Sequence, residues 1–259
     1  MAHFVDTHCH FDFPPFTGAE TESLSMAEQA GVRQIIVPAV TSDRFQGIVR
    51  LAKQHPQLYA ALGLHPLYIA QHHDADIELL DRFLAQRDSK LVAVGEIGLD
   101  LYMEEPQFAR QQRLLKSQFA LAKRENLPVI LHSRRSHDQL AAMLRQAKLP
   151  ATGVVHGFAG SLSQAQAFVK LGFAIGVGGT ISYERAQKTR NVMAQLPLSS
   201  LLLETDAPDM PLQGFQGQPN RPERAATVFD VLCELREESP EQIADALLAN
   251  TRRVFALAV

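Results

Sequence analysis

The sequence predicts an α/β fold, a closed (β/α)8 barrel of eight parallel strands, each leading into a helix. Two observations point to it. Eight short, nearly continuous apolar runs alternate with longer amphipathic stretches along 259 residues, as expected for parallel strands buried on both faces and covered by helices. No Gly-rich dinucleotide fingerprint follows the first run, which removes the commonest ligand of an open doubly wound sheet, the competing architecture. The length suits one such barrel, and a single domain over 1–259 is expected.

In chain order the expected strands are Phe4–Val5, Gln34–Val37, Leu58–Leu62, Leu91–Val94, Pro128–Leu131, Gly153–Val155, Phe173–Gly176 and Leu201–Leu203. Between them Ser23–Ala30, Asp43–His55, Asp76–Gln86, Pro106–Asn126 and Ser161–Leu171 read as helices. In the first, Leu24, Ala27 and Gly31 fall at i, i+3 and i+7, a helical spacing. Ser161 stands three residues before Gln164, as in a capping box. Ser239-Pro240 opens a last helix with proline at its first position. The stretch Pro208–Pro222, rich in Gly, Pro and Gln, reads as a long loop after the eighth strand.

Composition narrows the function. A formal charge of −3 gives no whole-protein attraction to nucleic acid or membrane, so an anionic substrate has to be held by local charges or a metal. Cys9 and Cys233 make no disulfide framework, which favours a reducing, cytoplasmic setting. No secretory signal and no run of membrane-spanning length is apparent, and no obligate protein partner is indicated.

In a barrel of this kind, catalytic residues come from the carboxyl ends of the strands. Five of the ten histidines lie there: His8, His10, His65, His132 and His156. Strand alternation puts His8 and His10 on one face and Cys9 on the other. Alone, the pair reads equally well as two buried polar residues. Glu96, in the apolar setting Val94-Gly-Glu-Ile-Gly98, reads as a salt-bridged acid or as a carboxylate bridging two metals. Asp206, after Leu201–Leu203, reads as a turn cap or as a metal ligand that holds a water and takes its proton. Glu204 and Asp6 are expected to support the ligands from behind, and Asp12 to belong to the first loop.

Together His8, His10, Glu96, His132, His156 and Asp206 are four imidazoles and two carboxylates without a thiolate. That set suits Zn²⁺, Mg²⁺ or Mn²⁺. Six donors exceed what one tetrahedral zinc with an open position needs. They suit two divalent ions sharing Glu96, with zinc favoured.

The motifs Asp6-Thr-His-Cys-His10, Gly63-Leu-His-Pro66, Gly95-Glu-Ile-Gly-Leu-Asp100, Pro128–Arg134, Val155-His156 and Glu204-Thr-Asp-Ala-Pro208 span almost the whole chain. In this order they resemble the TatD family of metal-dependent deoxyribonucleases, in the amidohydrolase superfamily of TIM barrels. The resemblance implies a metal site at the barrel mouth. His8, His10, Glu96 and Asp206 would hold one ion, and Glu96, His132 and His156 the other. It also implies that His65 and Arg134 face the substrate; arginine's fork suits a phosphate. The chain departs from the family pattern in Gly157-Phe-Ala159-Gly160, where Cys-Phe-Ser-Gly is usual. It departs again at Asp209, where an aromatic residue is usual, and at Arg221, where the family has glutamate.

The expected activity is metal-assisted hydrolysis of a phosphodiester, at a nucleic acid end or short single strand, or of a small phosphoester. The competing reading is a hydrolase of small-molecule esters, lactones or amides, since ligands alone do not separate the two. A barrel that binds without catalysis is a third, disfavoured by the complete ligand set. For nucleic acid the cations are few: Arg185, Lys188 and Arg190 after the seventh strand, and Arg221 and Arg224 near the last loop.

Overall fold

A computed structural model of the chain describes residues 1–257; the last two residues of the expected 1–259 domain lie outside the described residues. The eight strands are β1 (Phe4–Asp6), β2 (Val32–Pro38), β3 (Leu58–Leu62), β4 (Leu91–Asp100), β5 (Val129–Arg134), β6 (Gly153–Val155), β7 (Ala174–Val177) and β8 (Leu201–Leu203). They pair in sequence order and all in parallel. The circle closes between β8 and β1. Thr7 donates its N–H to Leu203 O at 3.0 Å and its hydroxyl to the same oxygen at 2.9 Å.

The helices are α1 (Glu20–Gln29), α2 (Phe45–Gln54), α3 (Asp74–Ala85), α4 (Phe108–Glu125), α5 (His137–Ala147), α6 (Leu162–Lys170), α7 (Gln187–Gln195), α8 (Ala225–Leu235) and α9 (Pro240–Phe255). The expected capping box forms, Ser161 and Gln164 exchanging side chain-to-backbone hydrogen bonds at 3.2 and 3.0 Å, and the expected last helix starts at Pro240 with a second such box, Ser239 and Gln242 at 3.2 and 2.9 Å. α1 starts at Glu20, three residues before the expected Ser23, with Glu20 and Glu22 favourably placed in its first turn.

Two apolar layers hold the barrel together. One lies between the sheet and the helices and contains Ile35, Val37, Leu62, Val94, Leu131, Phe119 and Phe168. The other takes single residues from neighbouring strands, Ile36, Ala61, Ala93, Ile130, Val154, Ala174 and Leu202, and is joined by Val254, Phe255 and Leu257 from the end of α9. Adjacent Ile35 and Ile36 fall in different layers because strand side chains alternate. α9 thus plugs the end opposite the site.

β4 extends to Asp100, well beyond the apolar run Leu91–Val94. Its register against β5 shifts between Val94 and Ile97: Val94 faces Val129 and Ile97 faces Leu131. Three steps on one strand against two on the other is a bulge, a device that re-aims a side chain. Gly95 and Glu96 occupy it, so Glu96 lies inside the strand and not in the loop beyond. Gly95 fits because a Cβ there would meet Ile130 Cβ at 2.6 Å.

Candidate metal centre

The ends of β1, β3, β4, β5, β6 and β8 converge on a cavity of about 650 Å³. Its lining includes His10, His65, Glu96, His132, Arg134, His156, Glu204 and Asp206. Every residue expected at the site is therefore brought to it. His8 lies just beneath, fully buried.

Glu96 is the centre of the cluster, 1% exposed, and its two oxygens face two groups. Oε2 is 3.1 Å from His8 Nε2 and 3.3 Å from His10 Nε2. Oε1 is 2.6 Å from His156 Nε2, 2.9 Å from His65 Nε2 and 3.3 Å from His132 Nδ1. Asp206 Oδ1 is 3.4 Å from both His8 Nε2 and His10 Nε2, which are 3.3 Å from each other. An ion bound tetrahedrally at about 2.0–2.1 Å separates adjacent ligand atoms by about 3.3 Å. His8, His10 and Asp206, 3.3–3.4 Å from one another, have that spacing, and Glu96 Oε2 keeps it to the two histidines at 3.1 and 3.3 Å. Two ligand triplets, His8/His10/Asp206 and His65/Glu96/His132, and a third, His8/Glu96/His156, are each compact enough for an ion.

Hydrogen-bond accounting separates the imidazoles. His132 Nε2 lies 2.7 Å from Asp100 Oδ2. A carboxylate accepts, so Nε2 carries a proton, and Nδ1, 3.3 Å from Glu96 Oε1, is the nitrogen that faces the centre. His65 is the reverse case. Its Nδ1 accepts Leu67 N–H at 3.0 Å, so its Nε2 carries the proton and donates to Glu96. His65 is a donor beside the centre, with no lone pair aimed into it.

Charges follow from this packing. Burial opposes ionisation of Glu96, but the surrounding His65, His156 and His8 hold it well below the usual carboxylate range. Asp206 is likewise held low against burial, by a hydrogen bond to His10 and the nearby His8 and His156. Burial also opposes protonation of His156, yet Glu96 raises it to about 9. The two carboxylates thus stay ionised, balanced by protons on the imidazoles that a bound cation would displace.

The supporting residues differ in part from expectation. Asp6 is fully buried and accepts from His8 N at 3.2 Å, Thr205 N at 3.0 Å and Thr205 Oγ1 at 2.6 Å. It holds the backbone of two site segments and touches neither imidazole. Glu204 was expected to hydrogen-bond a ligand histidine. Its Oε1 instead accepts Gly157 N–H and stands 3.9 Å from His156 Nδ1. Burial raises its carboxyl to about 7. Gly176 makes its room, because a Cβ there would collide with the Glu204 carboxylate. Asp12 pairs with Arg44 at 3.0 Å in the first loop. Cys9 is fully buried in the outer apolar layer, away from the site as expected, although β1 ends at Asp6 and His8, Cys9 and His10 lie beyond the strand.

Asp100 was missed as a site residue. It is fully buried and accepts from His132, from Arg134 Nε at 3.0 Å and from Tyr102 N at 2.9 Å. The signal was present: Asp100 shares strand parity with Glu96. The departures also find places. Gly157, at φ +54, donates to Glu204, while Ala159 and Asp209 line the cavity. Arg221 does not; it pairs with Glu223 at 2.5 Å and reaches Ser23 Oγ at 3.3 Å, tying the last loop to α1. Of the cations noted for nucleic acid, Arg190 donates to Ile181 O at 2.8 Å and Arg224 stacks on Phe215.

Fold and cluster are those of a (β/α)8 barrel whose mouth gathers histidines and carboxylates able to hold metal. The family model described as TatD related DNase matches residues 5–256. YjjV of Escherichia coli K12, described as an uncharacterized metal-dependent hydrolase, is 63% identical over 98% of both chains. The crystal structure of that TatD homologue superposes with a TM-score of 0.97 over 98% of each chain. A Rahnella protein described as the 3′-5′ ssDNA/RNA exonuclease TatD is 31% identical over 89% of this chain and 90% of its own. The chain belongs to the TatD family and is a metal-dependent hydrolase. Among the described residues no helix is long and apolar enough to cross a membrane.

Proposed function

We propose that this chain, as a single domain, hydrolyses phosphoesters with two divalent ions, acting on nucleic acid ends or short single strands and on small phosphodiesters. The observation that carries this reading is the division of Glu96: one oxygen faces His8 and His10, the other faces His132 and His156. His8, His10, Asp206 and Glu96 would hold one ion; Glu96, His132 and His156 would hold the other. Zn²⁺ suits the nitrogen-rich set, with Mn²⁺ or Mg²⁺ as working substitutes. Bound there, the ions supply an activated water and a clamp on the phosphoryl oxygen.

The protein's own groups do the rest. Asp206, ionised and partly open to the cavity, orients the attacking water and accepts its proton. Arg134 offers its terminal guanidinium nitrogens to the charge that develops on the phosphoryl group, and His65, its Nε2–H donated to Glu96, faces the substrate from the same cavity wall. Arg134 Nε is held by Asp100, so its fork is pre-aimed. The Rahnella relative named as a 3′-5′ ssDNA/RNA exonuclease supports the nuclease reading.

The cavity also supports small substrates. Among the described residues that line it, Arg134 is the one lysine or arginine, against Glu96, Glu204, Asp206 and Asp209. Such a balance suits one phosphoryl group better than several. The test is metal-dependent turnover of single-stranded DNA, simple phosphodiesters and a lactone panel. Release of nucleotides or of phosphoester products supports the reading. Clear lactone turnover without either overturns it. A cytoplasmic setting accords with the free Cys9 and Cys233.

A further inference from the structure

Beside the metal ligand His132, three side chains form a hydrogen-bonded row. Ser133 Oγ lies 2.6 Å from His137 Nδ1 and 2.8 Å from Ser136 Oγ, and Ser136 Oγ lies 3.0 Å from Leu99 O. The first distance suggests a serine nucleophile and its base. The protons exclude that arrangement. A backbone carbonyl only accepts, so Ser136 spends its single hydroxyl proton on Leu99. Ser133 must then donate to Ser136, and its own proton is spent. His137 therefore carries its proton on Nδ1 and donates to Ser133. It has no lone pair there with which to take the serine's proton.

One lone pair of Ser133 Oγ is left over, and Ser133 lines the cavity. The row thus fixes Ser133 as an acceptor with no proton to offer. His137 is held in place by stacking on Phe158, with ring centroids 5.0 Å apart, and burial pushes its imidazole down to about 4, so it stays neutral. In the same cavity the exposed Asp209 carboxylate is a second group that only accepts. The donor, Arg134, is the group assigned above to the phosphoryl charge.

We propose that Ser133 selects phosphoesters carrying a free hydroxyl or amino donor next to the phosphoryl group, such as a sugar phosphodiester or a strand end with an unblocked hydroxyl. Asp209 adds a negative charge to the same cavity, which disfavours a second phosphate there. This inference rests on the phosphoester reading of the site. Substrate hydroxyl and serine oxygen then share one hydrogen bond that a deoxy analogue lacks, a neutral bond whose usual net value corresponds to about a fivefold to tenfold preference.

The experiment compares kcat/KM for a dinucleotide with a free 3′-hydroxyl, its 3′-deoxy analogue and its 3′-phosphorylated form, in the metal-loaded protein. Bis(p-nitrophenyl) phosphate with the unaltered protein first tests the phosphoester reading by itself. The expected result is a hydroxyl-over-deoxy ratio of about five to ten that falls toward one in Ser133→Ala. Asp209→Asn is expected to narrow the discrimination against the phosphorylated form. His137→Gln, which can still donate to Ser133, is expected to keep the hydroxyl preference, as a loss of general packing would not. Turnover of the simple diester with the same hydroxyl-over-deoxy ratio in unaltered protein and Ser133→Ala would overturn the proposal while leaving phosphoester hydrolysis standing.

Discussion

Asp100 Oδ2 accepts the Nε2 proton of His132 at 2.7 Å, and the same oxygen accepts Arg134 Nε at 3.0 Å. One buried carboxylate therefore fixes both the tautomer of a proposed ligand and the aim of a proposed substrate clamp. Burial opposes its ionisation, but the hydrogen bond to His132 keeps it below the usual range. Asparagine cannot replace it without loss. If its oxygen serves His132 and Arg134, its amide faces the Tyr102 N–H that Oδ1 now accepts. Asp100→Asn should weaken the second ion about 10- to 100-fold, leave the ion at His8 and His10 unchanged, and raise KM through Arg134. Titration calorimetry with Mn²⁺ reads this; two unchanged affinities would remove Asp100 from the site.

Asp206 is the proposed proton acceptor. Its φ of +61° lies in the left-handed region, which asparagine tolerates well. Asp206→Asn should therefore fold normally and keep its backbone bond to His8 O, 2.8 Å in the native chain. Hydrolysis should fall by about 10³-fold. Full turnover by a pure, metal-loaded Asp206→Asn protein would discard this mechanism.

Much of this was legible in the sequence, and the reasons are physical. Parallel strands buried on both faces must be apolar, so the runs Leu58–Leu62, Gly153–Val155 and Leu201–Leu203 appear unchanged as β3, β6 and β8. Histidines and acids just past such runs have no packing role that explains all of them, so His8, His10, His132, His156 and Asp206 stood out. The bulge at Gly95-Glu96 was hidden, because apolar pattern ends at Val94 while pairing does not. For Asp100 the parity with Glu96 was the one trace, because its role is defined by partners on β5, 32 and 34 residues away. α7 was also faint: Gln187–Gln195 is mostly polar and buries only Thr189, Val192 and Met193.

His137 gives a pH signature. Burial, and then Lys188, lower it from 6.5 to about 4. Between those values the unfolded chain binds a proton that the folded one does not, so stability falls as pH drops from 6.5 to 4. Above pH 6.5 the contribution is fully present, on the order of 2 kcal/mol. His137→Gln should flatten this part of the difference between the two stability curves. Parallel curves in urea unfolding from pH 4 to 7 would count against it.

Gly98 couples β4 to the site. Its φ is +147°, and a Cβ would run into the backbone oxygen of His132. Gly98→Ala should cost about 3 kcal/mol or more and weaken metal binding at His132, since strand and ligand must part. Thermal unfolding at native stability, with unaltered metal affinity, would contradict the packing described.

The central claim is that Glu96 joins two ions, with His65 outside the ligand set. Anomalous diffraction from crystals loaded with Zn²⁺ or Mn²⁺ tests it most directly. Two peaks are expected. One lies within bonding distance of His8, His10 and Asp206, the other of His132 and His156, and each is in reach of a different Glu96 oxygen. A single peak, or a peak bonded to His65 Nε2 in place of His132 or His156, would contradict it.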